Sequence, residues 1–227
     1  MFSLHVHSNY SLLEGTITIE ALVQFAKQSG SVYASLTDTN SMYGLIKFAK
    51  IAKSENIKPI LGTVIDDGEE KVILLAKNNS GYSDICKIIT AKKLKDNFSI
   101  TNMLQQNLSN MFIIINSVSL MEKVIDLNID KTNIYAELII TEKAKKNTRK
   151  LYNFAKKHKI KVLASHPAYF EKKDDFLLHK TVTAIRKNST LENLDSDEIT
   201  DEEYYLKSPE ELWQMWKTLP EAVWNTD

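Results

Sequence analysis

Ser3-Leu4-His5-Val6-His7-Ser8-Asn9-Tyr10-Ser11-Leu12-Leu13-Glu14-Gly15 places two histidines two residues apart in an extended, β-prone run. On a strand, residues i and i+2 point to one face, so the imidazoles of His5 and His7 project side by side. Glu14 follows seven residues after His7, just before a glycine that lets the chain turn. Two nitrogen ligands fixed by a strand, with an oxygen ligand brought round by a loop, is how a strand-end metal site begins. Spacing alone favours the plainer reading of two ordinary histidines.

Strand and helix patterns alternate along the rest of the chain. Strands are expected at 2–7, 32–37, 57–65, 71–76, 111–115, 134–140 and 161–165. Helices are expected between them, except that 71–76 follows 57–65 through a turn as its hairpin partner or next neighbour, and over 173–187. The alternation predicts a parallel α/β architecture. Several such units without a dinucleotide glycine motif favour a closed barrel over an open sheet. Residues 66–70 read as a tight acidic turn and 191–203 as an acidic surface loop. Ser208-Pro209-Glu210-Glu211 is a helix start with a cap, a first-position proline and first-turn acids.

Composition narrows the function classes. The 227 residues carry 29 basic and 29 acidic side chains, so the bulk positive field of a dedicated DNA binder is absent. The single cysteine, Cys86, excludes a disulfide framework and a Cys-rich zinc site, and fits a reducing cytosol. No apolar run approaches the roughly 20 residues of a membrane span. No charged leader precedes an apolar core, so no signal peptide is expected, and a cytoplasmic location follows.

The His-x-His-x-x-x-Ser-x-x-acid-Gly pattern resembles the first motif of the PHP (polymerase and histidinol phosphatase) domain, in the form found in bacterial DNA polymerase III alpha-type subunits. Leu36-Thr37-Asp38-Thr39-Asn40-Ser41-Met42-Tyr43-Gly44 is similar to the family's second motif. Leu74 to Tyr82, Tyr204 to Glu211 and Leu219 to Ala222 resemble stretches typical of the polymerase subunits. The resemblance implies a distorted (β/α)7 TIM-like barrel over 2–190. Residues 191–227 would be a C-terminal loop and helices leading toward a polymerase palm that this chain lacks.

In that family an intact site holds several metal ions at the strand ends. Here His5 and His7 match ligands, Glu14 stands for an Asp, and His166 stands for another Asp. Thr39, Val64, Lys71, Val118 and Ala168 stand where other ligands belong; Asp38, Thr39, Val64 and Ala168 mark the rim of the former site. Val and Ala cannot ligate, and Lys repels cations, so no intact cluster and no catalytic residue is expected. Two alternatives remain: one Zn²⁺ at His5, His7 and His166 with Glu14 or water, or a metal-free cluster joined by hydrogen bonds.

The resemblance therefore implies a DNA replication or repair role as a degenerate structural or interaction domain. The partners it implies are the polymerase domain of the parent chain, a proofreading exonuclease or other replisome subunit, and DNA through the parent polymerase. The rival is a PHP-type metal-dependent phosphoesterase or 3′–5′ exonuclease. Other residues carry plainer readings. The basic run around Lys143–Lys159 reads as a solvated face, His179 as a packed histidine, and Trp213, Trp216 and Trp224 as an apolar docking face.

Overall fold

The computed structural model describes residues 1–106 and 108–226. Six strands form one curled sheet in sequence order: β1 (Tyr33–Leu36), β2 (Lys58–Asp66), β3 (Lys71–Ala76), β4 (Met111–Ile115), β5 (Ile134–Ile139) and β6 (Lys161–Ser165). Nine α-helices surround it among the described residues: α1 (Ile19–Gln28), α2 (Leu45–Ser54), α3 (Asn79–Leu94), α4 (Ile100–Leu104), α5 (Val118–Asp126), α6 (Lys145–Lys157), α7 (Phe176–Arg186), α8 (Pro209–Trp216) and α9 (Pro220–Trp224). Local sequence explains the helix starts. Thr18, Asn78, Ser117 and Ser208 each accept a backbone N–H in the first turn, and Ser208 forms a reciprocal capping box with Glu211.

The sheet is mixed rather than wholly parallel. β1–β2, β4–β5 and β5–β6 pair in parallel, whereas β3 runs antiparallel to both β2 and β4. The cause is the short acidic turn between Asp66 and Lys71, because a tight hairpin can only join antiparallel strands.

The expected first strand, 2–7, is not a regular ladder strand. It makes isolated bridges, Val6 with Ala168 and Ser8 with Ile17. Side-chain hydroxyls take the places of some ladder partners: Ser3 Oγ donates to His166 O, Ser35 Oγ donates to Ser3 O, and Thr37 Oγ1 accepts from Val6 N. This segment nevertheless fills the gap between the sheet's two edges. His7 N–H donates to Ala168 O at 2.8 Å and Ala168 N–H to His5 O at 2.9 Å, while Thr37 N–H donates to Val6 O at 2.8 Å. The result is a distorted TIM-like barrel whose seventh position is an irregular segment.

Alternation along the strands separates inside from outside. Val64, Ile73, Leu75, Ile114 and Leu163 pack with Leu4 as a small inner cluster. Val72, Leu74, Ile113, Ile115 and Ala136 face outward onto α3–α6, α8 and α9. Trp216 belongs to this outer layer and is 1% exposed. Trp213 and Trp224 are exposed, so of the three tryptophans Trp216 alone docks on the barrel.

Candidate functional site

A cavity of about 340 Å³ is lined by His5, His7, Thr39, Val64, Lys71, Asn116, Glu137, Pro167, Tyr169 and Tyr204 among others. It therefore draws on both ends of the sheet and on the segment that joins them. His5 and His7 share it as the i, i+2 spacing requires, with ring centroids 5.0 Å apart.

Their hydrogen bonds fix their tautomers. His5 Nδ1 lies 2.8 Å from Glu137 Oε1, an oxygen that also accepts from Ser165 Oγ at 2.7 Å. A carboxylate only accepts, so His5 Nδ1 carries the proton. His7 Nδ1 lies 3.1 Å from Ser11 Oγ. Ser11 Oγ spends its own proton on Asp38 Oδ1 at 2.7 Å, so His7 Nδ1 is the donor there. The Nε2 atoms of both rings are buried and have no partner in the protein. Burial holds His7 well below the ordinary imidazole range, helped by the nearby charges of His5 and Lys71. His7 therefore presents a neutral lone pair. Tyr169 stacks on its ring at 4.1 Å with planes 12° apart, and burial pushes the Tyr169 hydroxyl strongly upward.

Glu14 is close but committed elsewhere. Its Oε2 accepts from Thr39 Oγ1 at 2.6 Å, and its Oε1 pairs with Arg186 Nη1 at 2.5 Å. The loop that carries it folds tightly: a Cβ added at Gly15 would lie 2.2 Å from Ser8 O, so only glycine fits there. Asp38 does not line the cavity. It is 1% exposed and accepts from Ser8 N, Ser8 Oγ and Ser11 Oγ, which pins the loop after His7. Burial raises its carboxyl against the lowering effect of those bonds.

His166 does not join the pair. Strand-like alternation sends Pro167 and Tyr169 into the cavity and turns His166 and Ala168 outward, where they line a small pocket with Val6 and α1. His166 Nε2 contacts Tyr205 O at 3.0 Å, and burial, with the charge of Lys207, lowers its pKa to about 4. The expected three-histidine set is thus divided between two faces, and Ala168 is not on the cavity rim. Thr39 and Val64 are, and they form a bridge with each other. Val118, expected near a ligand position, opens α5 and does not line the cavity.

These donors do not fit a metal cluster. Among the described residues no group of three or more His, Cys, Asp or Glu side chains is placed to hold an ion. The cavity offers two imidazole lone pairs, the Glu137 carboxylate already bonded to His5, the carboxylates of Glu69 and Glu70 from the tight turn, and the Lys71 ammonium, which is paired with Asp66 at 2.9 Å. Catalytic zinc takes three protein ligands and an open position.

Glu137, Tyr169 and Arg186 carry this geometry together with Ser11, the serine of the first motif, and those three were not singled out as site residues. Glu137 left a signal: it is the lone acid in the apolar strand Ile134–Ile139. His179 is packed as expected, 1% exposed, with Nε2 2.7 Å from Thr200 Oγ1.

Comparison with known proteins adds what geometry alone does not. The chain is 27% identical to DNA polymerase III subunit alpha of Buchnera aphidicola over 98% of its own length and 22% of that protein's. It is 25% identical to the same subunit of Thermus aquaticus over 99% of its own length and 21% of that protein's. It thus spans about a fifth of the length of these curated relatives. An amidohydrolase of Chromobacterium violaceum, solved with bound sulfate and no metal, matches at TM-score 0.50 and 12% identity, over 74% of this chain and 87% of that one, a likeness of fold. No helix among the described residues is long and apolar enough to cross a membrane. The PHP domain profile matches residues 3–119, just over half of the chain, and the protein belongs to the PHP domain family.

Proposed function

We propose that this chain serves as the PHP domain of a polymerase III alpha-type DNA polymerase in replication or repair, and that it acts there as a structural and interaction domain without phosphoesterase activity. One observation carries the second half: Glu14, the carboxylate of the first motif, is held by Arg186 and Thr39 instead of being free for a cation. A guanidinium supplies locally the positive charge that a metal would supply in an intact site. The likeness to polymerase subunits over almost the whole chain supports the first half. The polymerase domain of the parent chain is the natural partner, with a proofreading exonuclease or another replisome subunit on the remaining surface and DNA reached through the parent polymerase.

A second reading, a metal-dependent phosphoesterase or 3′–5′ exonuclease, is favoured by the two unpartnered Nε2 atoms of His5 and His7. Any residual ion would be a single Zn²⁺, since neutral imidazole suits zinc better than harder ions. Elemental analysis, with assays on an aryl phosphate and on a labelled DNA 3′ end in Zn²⁺ and Mn²⁺, separates the two. The proposal expects less than one zinc per chain and no turnover. Turnover that disappears in His7→Ala would establish the phosphoesterase instead.

A further inference from the structure

Charge is segregated in this neutral molecule. Residues 143–161 contain nine basic side chains and no acid, which leaves 20 basic against 29 acidic elsewhere. Most of this charge sits on α6, and the N-terminal half of α6 is built against its own electrostatics, whereas Lys156 and Lys157 lie in the last turn, where cations are favoured. Lys145 and Lys146 occupy the first turn, where the helix dipole disfavours cations, and no first-turn acid or side-chain cap offsets them. Lys145 and Arg149, and Lys146 and Lys150, are like-charged pairs at i, i+4, which destabilise a helix. Lys145 reaches Glu142 and Lys156 reaches Glu221. Among the described residues no ion pair or hydrogen bond is made by the side chains of Lys146, Arg149, Lys150 or Lys157, and all four are exposed.

Lys146, Lys150, Asn153 and Lys157 follow i, i+4, i+7, i+11, so they form one stripe opposite the buried Leu151 and Ala155. From Lys146 to Lys157 the stripe covers about 16 Å at 1.5 Å per residue. A nucleic-acid strand carries a charge about every 3.4 Å, so about five phosphates match that length. The stripe begins beside the cavity: Asn147 Nδ2 donates to Asn116 O at 2.9 Å and to Asn116 Oδ1 at 3.1 Å, and Asn116 lines the cavity wall. The aromatic side chains of α6, Tyr152 and Phe154, are half-buried, and Phe154 stacks on His158 at 4.4 Å, so bases have no free ring to stack on.

We infer that the exposed face of α6 is a nucleic-acid backbone-binding surface, reading phosphates without sequence preference through Lys146, Arg149, Lys150 and Lys157. This goes beyond the domain assignment and does not depend on it. A local arrangement that costs helix stability and finds no internal counter-charge is accounted for by an external polyanion.

The test is fluorescence anisotropy of the full chain with a labelled 20-base-pair duplex between 50 and 200 mM NaCl. The triple variant Lys146→Gln/Arg149→Gln/Lys150→Gln is compared with Lys92→Gln/Lys93→Gln on α3. Wild type and the α3 variant should bind alike. The α6 variant should bind about tenfold or more weakly at 50 mM, with a salt slope shallower by about three, one per lost phosphate contact. Its thermal midpoint should be no lower than that of wild type, because it loses repulsion and no contact. Three results would overturn the inference: no duplex binding at 50 mM, an equal loss in the α3 variant, or α6-dependent binding to phosphatidylserine vesicles or polyglutamate with none to DNA.

Discussion

Arg186 Nη1 lies 2.5 Å from Glu14 Oε1, joining the last turn of α7 to the loop after the first motif across 172 residues of sequence. The Glu14 side chain is 17% exposed and the Arg186 side chain 33%, so solvent screens the pair only in part. Arg186→Ala should therefore cost about 1 kcal/mol in stability, near the upper end for partly exposed pairs. It should also release Glu14 toward His7. Zinc titration should then show tighter binding than in wild type, with stoichiometry no greater than one. Adding Glu14→Gln should erase the gain. Unchanged zinc affinity in Arg186→Ala would show that Glu14 is not a ligand withheld by the ion pair.

Glu137 is the buried counterpart of that surface clamp. It is 2% exposed and accepts from both His5 Nδ1 and Ser165 Oγ. Glu137→Ala strands two donors away from water and should cost about 2–4 kcal/mol in urea unfolding. Glu137→Gln keeps an acceptor oxygen and should cost less than half as much. Equal losses for the two variants would mean that shape, and not hydrogen bonding, holds His5.

The pH dependence of stability follows from the outward-facing His166. Its pKa is lowered from 6.5 to about 4 in the folded protein, first by burial and then by Lys207. Between those values the unfolded chain binds more protons than the folded one, so stability rises with pH through this window and falls as the solution is acidified. The full span is worth up to about 3 kcal/mol at 1.36 kcal/mol per unit. His7 and His179, both also lowered by burial, act in the same direction. Unfolding midpoints from pH 7 to pH 4 should decline steeply in wild type and less steeply in His166→Gln. Parallel slopes would assign the loss to other groups.

Trp216 gives a packing prediction with an asymmetry. The side chain is fully buried in the outer core, yet its indole Nε1 has no partner. Trp216→Ala should cost about 3–5 kcal/mol through the cavity it leaves. Trp216→Phe fills most of that volume and removes an unsatisfied donor, so it should cost under about 1.5 kcal/mol. Tryptophan emission of wild type against Trp216→Phe, alongside melting, checks the burial directly.

The class of fold was legible because hydrophobic period and turn chemistry agree over most of the chain. The His5–His7 pairing was legible because a two-residue spacing fixes the face. Three things were not. Sequence resemblance aligned His166 and Ala168 with ligands, but a side chain's face depends on the parity of the strand, and here Pro167 and Tyr169 take the inward positions. The role of Arg186 was hidden because its partner lies in a distant loop, and no local pattern connects α7 with residue 14. The antiparallel β3 was within reach of the tight turn at 66–70, whereas the irregular first segment depends on hydroxyls of Ser3, Ser35 and Thr37 that resemble ordinary strand residues.

The seam made by Val6 between Thr37 and Ala168 sets the order of events when the chain is synthesised. Its bonds to Ala168 join residues more than 160 positions apart, among the most non-local contacts in the fold. At about 5–20 residues per second, the His-x-His segment waits on the order of ten seconds or more for its partner to leave the ribosome. Until then the first segment can pair with Thr37, but its other side is an open edge, and the apolar residues that will line the interior face water or a chaperone. Ring closure is thus a late step, governed by loop-closure entropy rather than by local helix or hairpin formation. His5 meets Glu137 and His7 meets the Tyr169 ring only at that late stage, so the site is assembled by the completion of folding and not by its nucleus.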